Sequence, residues 1–238
     1  MRACKSRGHC LEVLLRSVML CILGCTISSG LVEVATADDG EGVNVRWAFG
    51  ALVGSGENRR LQPVTRDITL RTGDQFKMFV ELKKRSFVYL LYYNPQDGIR
   101  MLFPYTLEQF DTDYQLARRY YIPQGDAWFE LDQHIGRENF YLVVSPRRLD
   151  GLEALLREYE TNDPEKKAEL LNLILQEIRE IKRHQRELAV PAERPVPIGG
   201  AIRGLEKLPL GNSPDVAVIA DDLLSTGLIA RTFTIEHQ

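Results

Sequence analysis

The stretch that decides the fold is Gln75-Phe76-Lys77-Met78-Phe79-Val80-Glu81-Leu82, followed across Lys83-Lys84-Arg85 by Ser86-Phe87-Val88-Tyr89-Leu90-Leu91-Tyr92-Tyr93. In its first half, Phe76, Met78, Val80 and Leu82 alternate with Gln75, Lys77 and Glu81. That period of two predicts a half-buried β-strand. The second half is apolar on both faces, as expected of a central strand. Asn94-Pro95-Gln96-Asp97-Gly98 then packs nearly every turn former into one loop. Ile99 to Phe103 returns as the hairpin partner, and Pro104 stops it.

Working outward, the same pattern recurs. Val43, Val45, Trp47 and Phe49 share one face of an earlier strand, and Gly54 to Asn58 reads as a loop. Asp67 to Leu70 is a short strand, closed by the turn Arg71-Thr72-Gly73-Asp74. In that turn Gly73 permits a positive φ, and Asp74 can accept from the turn backbone. Downstream lie strands at Tyr120 to Ile122, Trp128 to Leu131 and Phe140 to Val144. About seven short strands, with turn signals every eight to twelve residues, predict an antiparallel, immunoglobulin-like β-sandwich. No room is left for the helices of a doubly wound α/β fold.

At residue 149 the period changes. Leu152, Leu155 and Leu156 form the stripe of a helix over Leu149 to Tyr159. Asp163 suits an N-cap and Pro164 the first turn of a second helix running to Leu188. Leu170, Leu171, Ile174, Leu175, Ile178 and Ile181 make its apolar face. The domain reading is therefore a sandwich over 43–148, an inserted helical hairpin over 149–190, an extended connector over 191–213, and strands over 214–238 that return to the sandwich. Within the last segment, Asp215 to Ala220 and Leu228 to Glu236 read as strands.

Residues 1–37 resemble an export signal: Arg2, Lys5, Arg7 and Arg16 precede the apolar run Val18 to Leu23. Cleavage after Ala35-Thr36-Ala37 would release a soluble chain. The alternative is a lipoprotein leader ending at Gly24, with Cys25 lipidated. All four cysteines, Cys4, Cys10, Cys21 and Cys25, fall in this leader, so the remaining fold has no thiol or disulfide to lean on. The chain carries 30 basic and 33 acidic residues, of which four and two lie in 1–37, leaving 26 against 31. A mildly acidic protein has no electrostatic footprint for nucleic acid. Nothing after the leader approaches the roughly 20 apolar residues of a membrane span. The expected place is the periplasm, or the outer membrane through a lipid anchor.

Several of these residues also resemble the bacterial family catalogued as domain of unknown function 4384. The likeness is carried by Trp47, Leu70-Arg71-Thr72-Gly73-Asp74, Phe87-Val88-Tyr89-Leu90-Leu91, Leu102-Phe103-Pro104, Ile122-Pro123 and Gly136-Arg137-Glu138, over roughly residues 45–150. It implies bacterial origin and frequent export or attachment to other modules. It implies no activity, and it supplies no site residues.

The residues themselves name no reaction. Gly-x-Ser-x-Gly and phosphate-binding glycine loops are absent, and no histidine pair has metal-ligand spacing, so no catalytic residue, cofactor or metal is expected. Glu130 and Asp132 share a strand face, yet acid/base work also needs a cleft. The most suggestive surface feature is aromatic: Tyr92, Tyr93, Tyr105, Tyr114, Tyr120 and Tyr121 fall close together, with Arg118 and Arg119 among them. Tyr and Arg are favoured at binding hot spots. The leading expectation is a non-catalytic, exported module that binds another envelope protein through these residues. The alternative is an envelope carbohydrate-binding accessory or hydrolase using the tyrosines with Asp111 and Asp113.

Overall fold

The computed structural model describes residues 42–56, 59–188 and 214–238. The leader with Cys25, and the connector at 191–213, lie outside the described residues. In chain order the strands are β1 (Val43–Val53), β2 (Arg60–Pro63), β3 (Asp67–Leu70), β4 (Gln75–Leu82), β5 (Phe87–Asn94) and β6 (Gly98–Phe103). A four-residue helix α1 (Gln109–Thr112) precedes β7 (Arg119–Ile122), β8 (Phe129–Glu130) and β9 (Gly136–Ser145). Helices α2 (Asp150–Thr161) and α3 (Pro164–Leu188) follow, then β10 (Asp221–Ser225) and β11 (Ile229–His237).

The strands form two sheets. One has the order β10-β1-β4-β7, with β2 also on β1 and β8 also on β4; the other has the order β3-β11-β9-β5-β6. All pairings are antiparallel except β3 with β11. The mainly-β, sandwich-like fold expected from the alternating stretches is the fold observed. The alternating residues sit where period two places them. Val45, Trp47 and Phe49 of β1, and Phe76, Met78 and Val80 of β4, face Val88 and Leu90 of β5 and Phe140 and Leu142 of β9. The C-terminal strands do return: β10 caps one edge of the first sheet, and β11 sits inside the second.

The turns behave as their residues dictate. Gly73 has φ +86°. Asp74 Oδ2 accepts from the Arg71 N–H at 2.8 Å, and Oδ1 accepts from the Gly54 N–H at 3.2 Å, so one carboxylate ties two loops together. Pro104 and Pro123 follow the ends of β6 and β7, each after a cis peptide bond.

Three expectations are corrected. First, β4 is buried on both faces, not one. Lys77 is 4% exposed, with Nζ donating to the carbonyls of Gly125 and Ala127. Its neighbours Phe79 and Ala48 are covered by Val216 and Ala217. Second, those covering residues belong to a 3-10 turn, Val216–Ile219, where a strand over Asp215 to Ala220 was expected. The Asp215 side chain caps the turn by accepting from the Ala217 N–H at 2.9 Å. Gly50 of β1 permits the close approach, since a Cβ there would come within 2.8 Å of Val216 Cγ2. Third, the strand expected over Trp128 to Leu131 shortens to the two residues of β8, Phe129–Glu130.

The helical hairpin lies on the outer face of the second sheet. Leu152 and Leu156 of α2 and Ile174, Ile178 and Ile181 of α3 pack with Tyr89, Leu91 and Val143. Asp163 does cap α3, accepting from the Lys166 N–H at 3.0 Å. The helix apolar face is thus occupied within the chain. Burial of each such side chain contributes about 1.5–3 kcal/mol.

A buried polar node fixes the hairpin in place. Glu153 is 1% exposed, and it accepts from the Tyr89 hydroxyl at 2.6 Å and from Arg148 at 2.9 and 2.6 Å. Tyr89 Oη in turn accepts from the Leu149 N–H at 3.0 Å, at the start of α2. Burial acts to raise the Glu153 pKa, but the hydrogen bonds from Arg148 and Tyr89 and the positive charge beside it prevail, and the net direction is downward from 4.5. A native pKa below the unfolded one stabilises above the unfolded value, and that stabilisation is lost as pH falls through the native value. Glu153→Gln should therefore flatten the loss of urea stability below about pH 4.5 that the natural chain shows. Arg148→Ala should cost about 1–3 kcal/mol at pH 7, because it leaves the buried carboxylate held by only the Tyr89 hydroxyl and Arg157, 3.3 Å away. Parallel acid limbs for the two chains would refute the assignment.

Candidate functional site

The tyrosines that looked like one patch are distributed by the pleat. Successive residues of a strand point to opposite faces, so Tyr92 turns toward the space between the sheets while Tyr93 packs under the helical hairpin. Tyr120 is 5% exposed and belongs to the core, its ring 5.1 Å from that of Phe103. Its hydroxyl oxygen accepts from the Gln115 N–H at 2.7 Å. Tyr114 is half-buried; its hydroxyl oxygen accepts from the Val88 N–H at 3.0 Å, and its ring meets Phe110 edge-on at 4.9 Å. Tyr105 packs on Phe103 and donates to the Tyr121 carbonyl, and burial pushes its pKa up to about 12. Tyr121 faces the other side of the first sheet, with its ring on Phe79 and its hydroxyl donating to Asp215 at 3.1 Å. Arg118 and Arg119 are exposed; Arg118 pairs with Asp113 and lies over the Tyr120 ring, and Arg119 lies 4.0 Å from Glu81. The expected contiguous surface is therefore corrected: Tyr114 and Tyr120 are packing residues, and the others open onto different sides.

Asp111 and Asp113, the carboxylates of the alternative carbohydrate or hydrolase reading, are likewise not brought to one site. Asp111 takes two hydrogen bonds from Arg148, at 3.1 and 2.9 Å, while Asp113 is held by Arg118. Each carboxylate is already matched to its own arginine. Among the described residues, no group of three or more His, Cys, Asp or Glu is placed to hold a metal ion.

The structure offers a different site. At one end of the sandwich a cavity of about 440 Å³ opens between the sheets. Phe76, Phe129 and Glu130 line it from the first sheet, and Tyr92, Leu102, Glu138 and Phe140 from the second. The Asn94 to Asp97 turn and the Asp132 to His134 loop form its rim, and His237 closes one side. Four rings form a continuous wall: Phe76 lies 5.2 Å from Phe129 and 5.4 Å from Phe140, and Tyr92 lies 5.5 Å from Phe140. Glu130 and Asp132, which shared a strand face without a known cleft, both line this one.

The residue that sets its chemistry is Glu138. It is 6% exposed, and Asn94 Nδ2 donates to its Oε1 at 2.9 Å. Its other oxygen, Oε2, is buried and has no hydrogen-bond partner among the described residues. Burial, then a hydrogen-bond interaction with the Glu138 carboxylate and its charge, push the Tyr92 hydroxyl pKa up, so Tyr92 stays protonated at neutral pH beside that carboxylate. Sequence reasoning missed this glutamate as a site residue, although its signal was present. Glu138 falls on the same alternating face as Phe140, Leu142 and Val144 of β9, all in the core, and a carboxylate on a core face needs a reason.

His237, which no sequence motif singles out, is 4% exposed. Its Nδ1 lies 2.9 Å from the His134 carbonyl, which can only accept, so Nδ1 carries a proton. Nε2 meets the Thr72 hydroxyl at 3.1 Å. His237 thereby ties β11 to the rim loop. His134 itself is exposed, with its N–H donating to Asp132 Oδ1 at 2.7 Å and Nδ1 2.9 Å from Oδ2.

Residues 69–148, from β3 through β9, match the family model described as Domain of unknown function (DUF4384). The match covers a third of the chain and agrees with the resemblance carried by its strand and turn residues. It contains every cavity residue named above except His237. No curated protein and no solved structure matches the chain.

The rim electrostatics are directly measurable. The hydrogen bond and then the charge of Asp132 raise the His134 pKa above its ordinary 6.5. An NMR titration of the His134 ring should give a midpoint above 6.5, and Asp132→Asn should move it back down. An unchanged midpoint in that variant would contradict the pairing.

Proposed function

We propose that the chain is a non-catalytic, exported binding module of the cell envelope whose ligand enters the cavity between the sheets, and not a surface built from clustered tyrosines. The observation that carries this reading is the buried, unpartnered Oε2 of Glu138 in a cavity walled by four aromatic rings. An orphaned buried acceptor costs about 1–3 kcal/mol, and more when charged, so a donor supplied from outside gains that much on arrival. The volume lies within the range of small-ligand sites, about 300–1,000 Å³. Export is supported by the basic and apolar leader over 1–37, and a thiol-free remainder fits an oxidising compartment. Among the described residues no helix is long and apolar enough to cross a membrane, and Cys25, at the end of the leader's apolar run, is the candidate site of a lipid anchor.

The test is a library of amino acids, short peptides, amines and sugars screened by ligand-observed NMR. Leu102→Trp, which fills the cavity at a packing cost of about 1–3 kcal/mol, should abolish the hits while the protein stays folded. Hits that survive in Leu102→Trp place the ligand elsewhere. Release of product from glycans or peptidoglycan fragments, lost in the same variant, would make the cavity an active site.

A further inference from the structure

We propose that the cavity is selective for a nitrogen cation, a primary ammonium or a guanidinium, with Glu138 Oε2 as its acceptor. This rests on the cavity being the binding site and adds the class of ligand. Three independent features converge. The first is the acceptor itself. Asn94 holds Oε1 and so fixes the carboxylate, while Oε2 is buried with no hydrogen bond among the described residues and the Tyr92 hydroxyl stands beside the same carboxylate without closing on it. A carboxylate oxygen accepts only, so the missing group is an N–H or O–H donor.

The second feature is the charge around it. Glu138 is joined in the lining by the carboxylates of Asp97, Glu130 and Asp132, against the single guanidinium of Arg100. The positive charge available at the rim from His134 is held by Asp132. Low-dielectric walls lined by one sign of charge focus the field and concentrate counter-ions. An anionic ligand is repelled here, and a neutral hydroxyl gains nothing from the field. The third feature is the walls. Ring faces attract cations electrostatically, and Tyr92 and Phe129 stand on opposite sheets with the cavity between them. A carboxylate at depth with rings beside it suits a cationic head on a short apolar stem. Lysine and arginine side chains of a peptide have that form, and so does a free diamine.

Isothermal titration of the folded protein without its leader tests the assignment. The probes are N-acetyl-lysine methylamide, N-acetyl-arginine methylamide and putrescine. The neutral controls are N-acetyl-(Nε-acetyl)lysine methylamide and N-acetylglucosamine. At least one cation should bind ten times or more tightly than its neutral counterpart, with affinity falling as salt is raised. Tighter binding of the amino-acid amides than of putrescine assigns a peptide side chain as the source, and the reverse order assigns a free amine. Glu138→Gln should weaken the cation at least tenfold without lowering the melting temperature, since the amide oxygen still accepts from Asn94. Should that variant fold poorly, Phe129→Leu, which removes one ring face, should weaken the cations and leave neutral probes unaffected. Neutral probes binding as well as cations, in a manner abolished by Leu102→Trp, would overturn the cation assignment and leave the cavity reading standing. No binding by any probe or library member would overturn both.

Discussion

The structure depends on aromatic side chains interlocking between two sheets that no disulfide joins. Phe49 of β1 stands at the centre, with ring centroids 5.1 Å from Phe140, 5.6 Å from Phe233 and 5.9 Å from Phe76. Trp47 continues the contact to Phe233 at 5.8 Å. Most of these pairs are edge-on or tilted, the geometries favoured by ring quadrupoles, and each adds about 0.5–1.5 kcal/mol beyond the area it buries. With no cysteine after Cys25, the fold over 42–238 must be held by packing of this kind. The consequence reaches the site: where the interlock ends, at Phe76, Phe129, Phe140 and Tyr92, the sheets part and the cavity begins. The walls of the cavity are the last layer of the core.

The second layer of organisation is asymmetric. The outer face of one sheet carries the helical hairpin, fixed by the Tyr89–Glu153–Arg148 node. Among the described residues, the outer face of the other carries the Val216–Ile219 turn and the loop that accepts from Lys77. The second of these covers explains why Lys77 of β4 is buried. The two covers leave the open end between the sheets as the place where a buried carboxylate lacks a partner.

Much of the fold was legible in the sequence because alternation in β4, the apolar run of β5 and the Asn94–Gly98 turn are local signals that tertiary contacts reinforce. The Asp163 cap, the Gly73 turn and the apolar stripe of α3 were legible for the same reason. The site was not, because proximity in sequence is not proximity on a pleated surface. Tyr92 and Tyr93, or Tyr120 and Tyr121, are neighbours along the chain and face opposite ways. Asp111 and Asp113 look like a pair until Arg148 and Arg118 are seen to hold them separately. The cavity assembles Phe76, Tyr92, Glu130, Glu138 and His237 from strands far apart in the chain, and only the sheet order brings them together. Glu138 alone could have been found from its position on the inner face of β9.

The account stands on the end of the aromatic core being the ligand site. Its most direct test is a ring-resolved NMR titration of protein labelled at phenylalanine and tyrosine, using whichever screened compound binds tightest. The account predicts that the resonances of Tyr92, Phe129 and Phe140 shift in a saturable manner while those of Tyr105, Tyr114 and Tyr120 stay fixed. Shifts confined to Tyr105, Tyr114, Tyr120 and Tyr121, with the cavity rings unmoved, would contradict it.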